Sequence, residues 1–453
     1  MSWTSTALLV AVALLQACAV PSARHQASLA FPPVLWLDNA GQEITFPQYK
    51  ARAAQHIHDF HGSSKELSPD RRKTVVESIA PAEWFAKGKH CSSLNTDGVL
   101  LVHGLTDSPF LMRDLAEALA AKPLLPNRCL IARSLLLDGH GTVPGDLLQV
   151  DYQNWVHTVS WGIRSFVGQA QDVHLVGFST GGALGLLLAH RTAASTLRPR
   201  LKSLVLISPA IRLLDERAQS PEALGMLAFS GVKPWLERYE DRDYAKYESF
   251  ALNGVYQVSR LSQQLARHES EPLSLPVFMA LSLNDQTIDS RAAIQRFVRL
   301  AETGNALWLA APRGASNADP IVQDVLRATG HQVSVVDSRI ETERIDDFSH
   351  VALPVAPANV HYGRRGDYVN CLSYAAIDTG LWCACWGEDL GHRPAPPACP
   401  KPDADRVIVY GEPPPRRQDV TAPVQRRLTF NPWFAEMVEA IRSFLSSIAE
   451  PTP

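Results

Sequence analysis

Four short, predominantly apolar runs, Val99–Val102, Val173–Val176, Leu204–Ile207 and Val277–Leu281, end abruptly at polar or Gly-containing sequence, with helical patterns such as Leu111–Ala121 and Gly182–Arg191 between them. Runs this short suit a buried strand better than a helix, and strands that are apolar on both faces need cover on both. The alternation predicts an α/β chain with a mostly parallel central sheet and helices on either side. At 453 residues, 46% of them hydrophobic, the chain can bury a sizeable core. A net charge of −3 gives no basic excess from which to argue a nucleic-acid partner. No run approaches the roughly 18 apolar residues of a membrane-spanning helix, so any membrane attachment is expected at a chain end.

The second run carries the most chemistry. It continues as Gly177-Phe178-Ser179-Thr180-Gly181-Gly182 and then into a helical pattern. A Ser in a Gly-x-Ser-x-Gly setting, directly after a buried strand and directly before a helix, is a nucleophile elbow: the turn is too tight for side chains at 177 and 181, and it holds Ser179 out at the carboxyl end of the sheet. The bland alternative is a Gly-rich strand-to-helix turn.

A Ser hydroxyl is a poor nucleophile without a base and an acid to orient that base. Downstream, Asp285 sits in the loop after the strand at 277–281, and His350 lies in Asp346-Asp347-Phe348-Ser349-His350-Val351, giving the chain order Ser, Asp, His. Asp289 reads as an N-cap for the next helix. Donors for a developing oxyanion are expected at the backbone N–H of Thr180 and, from the loop His103-Gly104-Leu105-Thr106-Asp107-Ser108, at that of Leu105. His103 follows its strand immediately, so its expected role is to stiffen that loop.

Together, Leu101-Val102-His103-Gly104-Leu105-Thr106-Asp107-Ser108-Pro109, Leu137-Asp138-Gly139-His140-Gly141-Thr142-Val143-Pro144, Gly177-Phe178-Ser179-Thr180-Gly181-Gly182 and Phe348-Ser349-His350 resemble the carboxylesterase and monoacylglycerol-lipase branch of the α/β-hydrolases. The resemblance covers roughly residues 98–210 and 275–353. It implies an α/β-hydrolase fold with a cap, Ser179 as nucleophile, Asp285 as acid, His350 as base, Leu105 and Thr180 as oxyanion donors, and no cofactor. The chain departs from the branch's pattern at Asp138, where a Pro is usual, and at Ser282, where Gly is common. Asp285 and His350 are also 65 positions apart, more than one helix and one strand occupy, which suggests an extra unit around Arg313–Thr329.

The chain start carries a second signal. Ala7–Leu15 is continuously apolar and is followed by Gln16-Ala17-Cys18, which resembles a bacterial lipoprotein box with Cys18 as the lipidated residue, although the start lacks Lys or Arg. The expectation is an exported protein of the bacterial cell envelope, lipid-anchored or periplasmic. Of seven cysteines, six then remain, Cys91, Cys129, Cys371, Cys383, Cys385 and Cys399, an even number that suits disulfides in an oxidising compartment. Separations of 12, 2 and 14 among the last four lack the Cys-x-x-Cys pairs of a zinc site. The run His56-Ile57-His58-Asp59-Phe60-His61 invites a metal reading, but Asp59 falls one place early for the metallo-hydrolase pattern and no distant ligands are evident, so no metal is expected.

The expected organisation is a leader at 1–18, an N-terminal arm at 19–97, the first part of the core at 98–208, a helical cap at 209–275, the second part of the core at 276–354, a Cys- and Pro-rich loop appendage at 355–428, and a closing core helix at 429–453 N-capped by Asn431. The expected substrate is a small or lipid-like carboxylic ester, with the membrane as a partner only through an N-terminal lipid. The competing readings are a serine peptidase of the same fold and a non-catalytic envelope lipoprotein that uses the scaffold for binding.

Overall fold

The computed structural model describes residues 23–28, 33–62, 69–191, 199–230, 233–239, 241, 243–300, 304–328, 330–368, 370, 408–412 and 424–449. Cys18 and the four cysteines between 371 and 399 lie outside them.

The four apolar runs are four neighbouring strands of one eight-stranded sheet. In chain order its strands are β1 (Glu83–Ala86), β2 (Thr96–Val102), β3 (Cys129–Leu135), β4 (Asp172–Phe178), β5 (Arg200–Ile207) and, after a two-stranded ribbon of β6 (Trp235–Glu237) and β7 (Phe250–Ala251), β8 (Val277–Ser282), β9 (Asn305–Ala311) and β10 (His331–Asp337). Their spatial order is β1-β3-β2-β4-β5-β8-β9-β10. Only β1 runs antiparallel to its neighbour, so the sheet is mostly parallel, as the alternation of strands and helices predicts. Every residue of β2, β8 and β9 is buried, because helices cover both faces. Each Val, Leu or Phe so enclosed contributes about 1.5–3 kcal/mol before the entropy of ordering is charged against it.

The helices have physical starts. Asp151 accepts the Gln153 N–H at 2.8 Å and opens Tyr152–Arg164, whose apolar face buries Trp155 and Trp161. Asp289 accepts the Ala292 N–H at 3.0 Å and caps Ser290–Arg299. Asn431 accepts the Trp433 N–H at 2.9 Å just ahead of Phe434–Ala449, which buries Met437, Val438, Ile441 and Leu445.

Three features differ from the sequence reading or sharpen it. The sheet already begins in the arm with β1, whose Phe85 is 55% exposed and whose pattern is too mixed to read as a buried strand. The segment between β5 and β8 is not wholly helical: helices Pro221–Phe229 and Leu252–Arg267 flank the ribbon of β6 and β7. Between Asp285 and His350 lie a helix (Ser290–Arg299), β9, two short helices (Ala315–Ala318 and Pro320–Arg327) and β10, so the long spacing holds two short helices and one strand beyond a single helix and strand. A disulfide joins Cys91, ahead of β2, to Cys129 at the start of β3.

Candidate active site

The register of the sheet sets the site. Val102, the last residue of β2, is paired with Gly177 of β4, so the loop from His103 and the turn at Ser179 leave the same edge side by side. Ser179 adopts a left-handed backbone, φ 52°, at the junction of β4 and helix Thr180–Arg191. Both flanking glycines are sterically required. A Cβ on Gly177 would lie 2.5 Å from the carbonyl carbon of Gly181, and one on Gly181 would lie 2.2 Å from the Val102 carbonyl oxygen.

Three side chains from distant parts of the chain meet here. The Ser179 hydroxyl lies 3.0 Å from His350 Nε2, and His350 Nδ1 lies 2.6 Å from Asp285 Oδ2. With the imidazole neutral, Nδ1–H donates to the carboxylate and Nε2 accepts from the hydroxyl. The other carboxylate oxygen, Oδ1, accepts the N–H groups of Thr287 and Ile288 at 2.8 and 2.9 Å, which fixes the acid in its loop. All three residues are buried.

Leu105 and Thr180 flank the same serine. The Thr180 N–H opens a helix whose first amides have no intrahelical acceptor, and the β2 loop passes so close that a Cβ on Gly104 would sit 3.0 Å from Ser179 Cβ. Two buried histidines hold that loop in shape. His103 Nδ1 bonds the Gly104 carbonyl at 2.8 Å, and its Nε2 accepts the Leu137 N–H at 3.1 Å. His140 Nε2 accepts the Thr106 N–H at 3.2 Å, and its Nδ1 bonds the carbonyls of Leu137 and Asp138. Burial depresses both rings, His103 well below the usual value with help from the neighbouring His140, and His140 to about 4. Each therefore stays neutral near pH 7 and serves as both donor and acceptor.

Sequence reasoning did not give roles to three residues around this loop. His140 supports Thr106 from the segment Asp138–Thr142, and that segment was the visible signal. Tyr247, between β6 and β7, donates its own N–H to the Thr106 carbonyl at 2.7 Å and accepts the Thr142 N–H at its hydroxyl at 2.8 Å. Asp107 is buried in the loop itself; burial raises its carboxyl to about 6, against the pull of Lys246 and of His350. Asp107 lies inside the loop His103–Ser108 that the sequence singles out, whereas Tyr247 belongs to no spacing pattern that would mark it.

The histidine run at 56–61 falls on helix Phe46–Gly62, with His61 Nε2 3.3 Å from the Gly141 carbonyl. Among the described residues, the His, Asp, Glu and Cys side chains whose ligand atoms converge within 4.8 Å are instead His190, His268 and Glu271. There the guanidinium of Arg296 lies 2.8 Å from His190 Nε2, and the charge of Arg296 opposes a cation.

A mostly parallel sheet that brings Ser179, His350 and Asp285 together at its carboxyl edge is the arrangement of the α/β-hydrolase fold. The chain matches the alpha/beta hydrolase family over residues 99–342 and belongs to that family. A stretch of 92 residues is 40% identical to a thermostable monoacylglycerol lipase of Bacillus sp. (strain H-257), covering 20% of this chain and 34% of that protein, so the chain spans about a third of the curated relative it matches. Among solved structures, a soluble variant of the monoglyceride lipase of Saccharomyces cerevisiae in complex with a substrate analog aligns at 12% identity over 54% of this chain and 88% of that one, TM-score 0.40. The monoacylglycerol lipase of Paleococcus ferrophilus aligns at 17% identity over 55% and 98%, TM-score 0.38.

Proposed function

We propose that the protein is a serine hydrolase that cleaves carboxylic esters, of carboxylesterase or monoacylglycerol-lipase type. The observation that carries the reading is the continuous hydrogen-bonded series from the Ser179 hydroxyl through His350 to Asp285. In the first step, His350 Nε2 takes the Ser179 proton as Oγ attacks the ester carbonyl carbon, and Asp285 stabilises the imidazolium and fixes its orientation. The N–H groups of Leu105 and Thr180 take the oxyanion, each worth about 2.7–4 kcal/mol of barrier. Collapse of the tetrahedral intermediate expels the alkoxide, which receives the proton from His350 Nε2. Water, deprotonated by the same nitrogen, then attacks the acyl-enzyme and releases the acid.

The segment 209–275 serves in this reading as a cap over the substrate. Its Tyr247 and Ala245 bond the Leu105 loop, and Gly254 of its long helix approaches Leu105. A fluorophosphonate should label Ser179 and fail to label Ser179→Ala; labelling that survives the substitution overturns the assignment. Turnover of p-nitrophenyl esters should exceed that of aminoacyl anilides, and the reverse order would make the protein a peptidase.

We further propose export to the bacterial envelope and lipidation at Cys18. Support comes from the apolar segment Ala7–Leu15 and from the Cys91–Cys129 bridge, which suits an oxidising compartment. Incorporation of labelled palmitate that is lost in Cys18→Ser tests the anchor, and equal incorporation by the variant refutes it.

A further inference from the structure

We infer that Glu412, from the appendage that follows the core, is a positioning residue for the base of the proposed triad, acting on the backbone of His350 from the end of a short ribbon. The inference rests on the serine-hydrolase reading and concerns residues outside the segments that resemble known hydrolases.

The loop that carries His350 is held by the chain on both sides of the Pro-rich stretch. Strands β11 (Ile408–Gly411) and β12 (Val424–Arg427) pair in parallel, Ile408 with Val424 through Gly411 with Arg427. Residues 344–350 lie along them as a third line. Tyr410 N–H donates to the Arg344 carbonyl at 2.8 Å, and Asp346 N–H donates to the Tyr410 carbonyl at 2.9 Å. Glu412 N–H donates to Asp347 Oδ1 at 2.5 Å, and the Ser349 hydroxyl donates to the Leu428 carbonyl at 2.5 Å. The last contact reaches the base itself: the buried Glu412 carboxylate accepts the His350 N–H on Oε2 at 2.7 Å.

A buried carboxylate that served only to close a turn would be a costly choice, since a neutral acceptor would do. Glu412 is compensated by Arg427, whose Nη2 lies 2.7 Å from Oε1. Around this pair the charged and titratable neighbours include Asp347 and Asp346 on the base loop, and Asp285, Tyr368 and Tyr239 facing Arg427; His350 itself faces Asp285, Ser179 and Asp107. The arrangement fixes the φ/ψ of the residue whose ring must point at Ser179, which is what a near-attack geometry demands.

The experiment uses full-length protein with a p-nitrophenyl ester and a fluorophosphonate as probes. Glu412→Ala should lower kcat by about ten- to a hundredfold with KM little changed, and the rate of labelling at Ser179 should fall in step. Glu412→Gln keeps an acceptor for the His350 N–H, so it should retain most of kcat and of the labelling rate. A purely structural role would lower the melting temperature of Glu412→Ala and leave kcat and the labelling rate of the folded enzyme at wild-type values. Glu412→Ala with wild-type kcat and labelling rate overturns the inference, and if Glu412→Ala fails to fold, a folded Glu412→Gln that loses about tenfold or more in kcat overturns it, because the acceptor is retained. A wild-type protein that takes no label at Ser179 would instead defeat the serine-hydrolase reading beneath it.

Discussion

The Ser282 hydroxyl donates to the Phe348 carbonyl at 2.7 Å, so the strand that delivers Asp285 is bonded directly to the loop that delivers His350. The serine is the last residue of β8 and fully buried. Ser282→Ala leaves the carbonyl without that donor and should cost about 1 kcal/mol of stability. Because the link spans the acid and the base, ester turnover should drop by about three- to tenfold while KM stays near wild type. A variant with wild-type kcat would show that the two loops are fixed without this bond.

Gly104 is the tightest point of the loop proposed to hold the oxyanion. A Cβ there would lie 2.7 Å from the Asp107 carboxylate, 3.0 Å from Ser179 Cβ and 3.2 Å from the Phe178 ring. The Phe178 ring belongs to the elbow strand and cannot yield freely, so the loop must move, and Leu105 with it. Gly104→Ala should remain folded with about 1–3 kcal/mol of lost stability and lose at least about tenfold in kcat. Activity within twofold of wild type would argue that the Leu105 N–H takes no part.

The parallel core and the elbow were legible because each is a local pattern: four apolar runs, and a serine between glycines at a strand end. Asp285 and His350 could be nominated for the same reason, each standing in a loop just after or just before apolar sequence. What was not legible is held by contacts between distant residues. Phe85 and its neighbours make β1 a half-exposed edge strand that carries no apolar run, and β10 alternates in burial for the same reason. Tyr247 reaches the Leu105 loop from 141 positions further along the chain through a backbone N–H, which no residue type encodes. Glu412 stands 62 positions after His350 in sequence without a motif. Asp138 was visible as a departure, but its fully buried setting was not.

That setting gives Asp138 a measurable titration. Burial raises its carboxyl to about 7 from the usual 3.8, only partly countered by the Thr158 hydroxyl. The folded protein therefore retains a proton that the unfolded chain has already lost, and the associated stability is full below the unfolded value and disappears as pH rises through about 7. Asp138→Asn keeps an acceptor for Thr158 and removes the ionisation. Its stability relative to wild type should grow by about 2–3 kcal/mol between pH 5 and pH 8, measured as urea midpoints at each pH. A difference that does not change with pH would mean that the Asp138 carboxyl titrates at an ordinary value.

The Cys91–Cys129 bridge makes the last prediction, because it ties an exposed loop to a buried strand end. Cys129 is fully buried at the head of β3 and its Sγ accepts the Gly88 N–H at 3.2 Å, whereas Cys91 is exposed. The bond spans a sequence separation of 38 and so restricts the unfolded chain by about 4 kcal/mol on the loop-entropy relation. Cys91→Ser removes the bridge without opening a cavity, since the substituted side chain faces solvent. Its urea midpoint should fall to match that loss. The comparison is made after oxidative refolding, with the remaining thiols blocked. An unchanged midpoint in Cys91→Ser would show that the two cysteines are not joined in the folded protein.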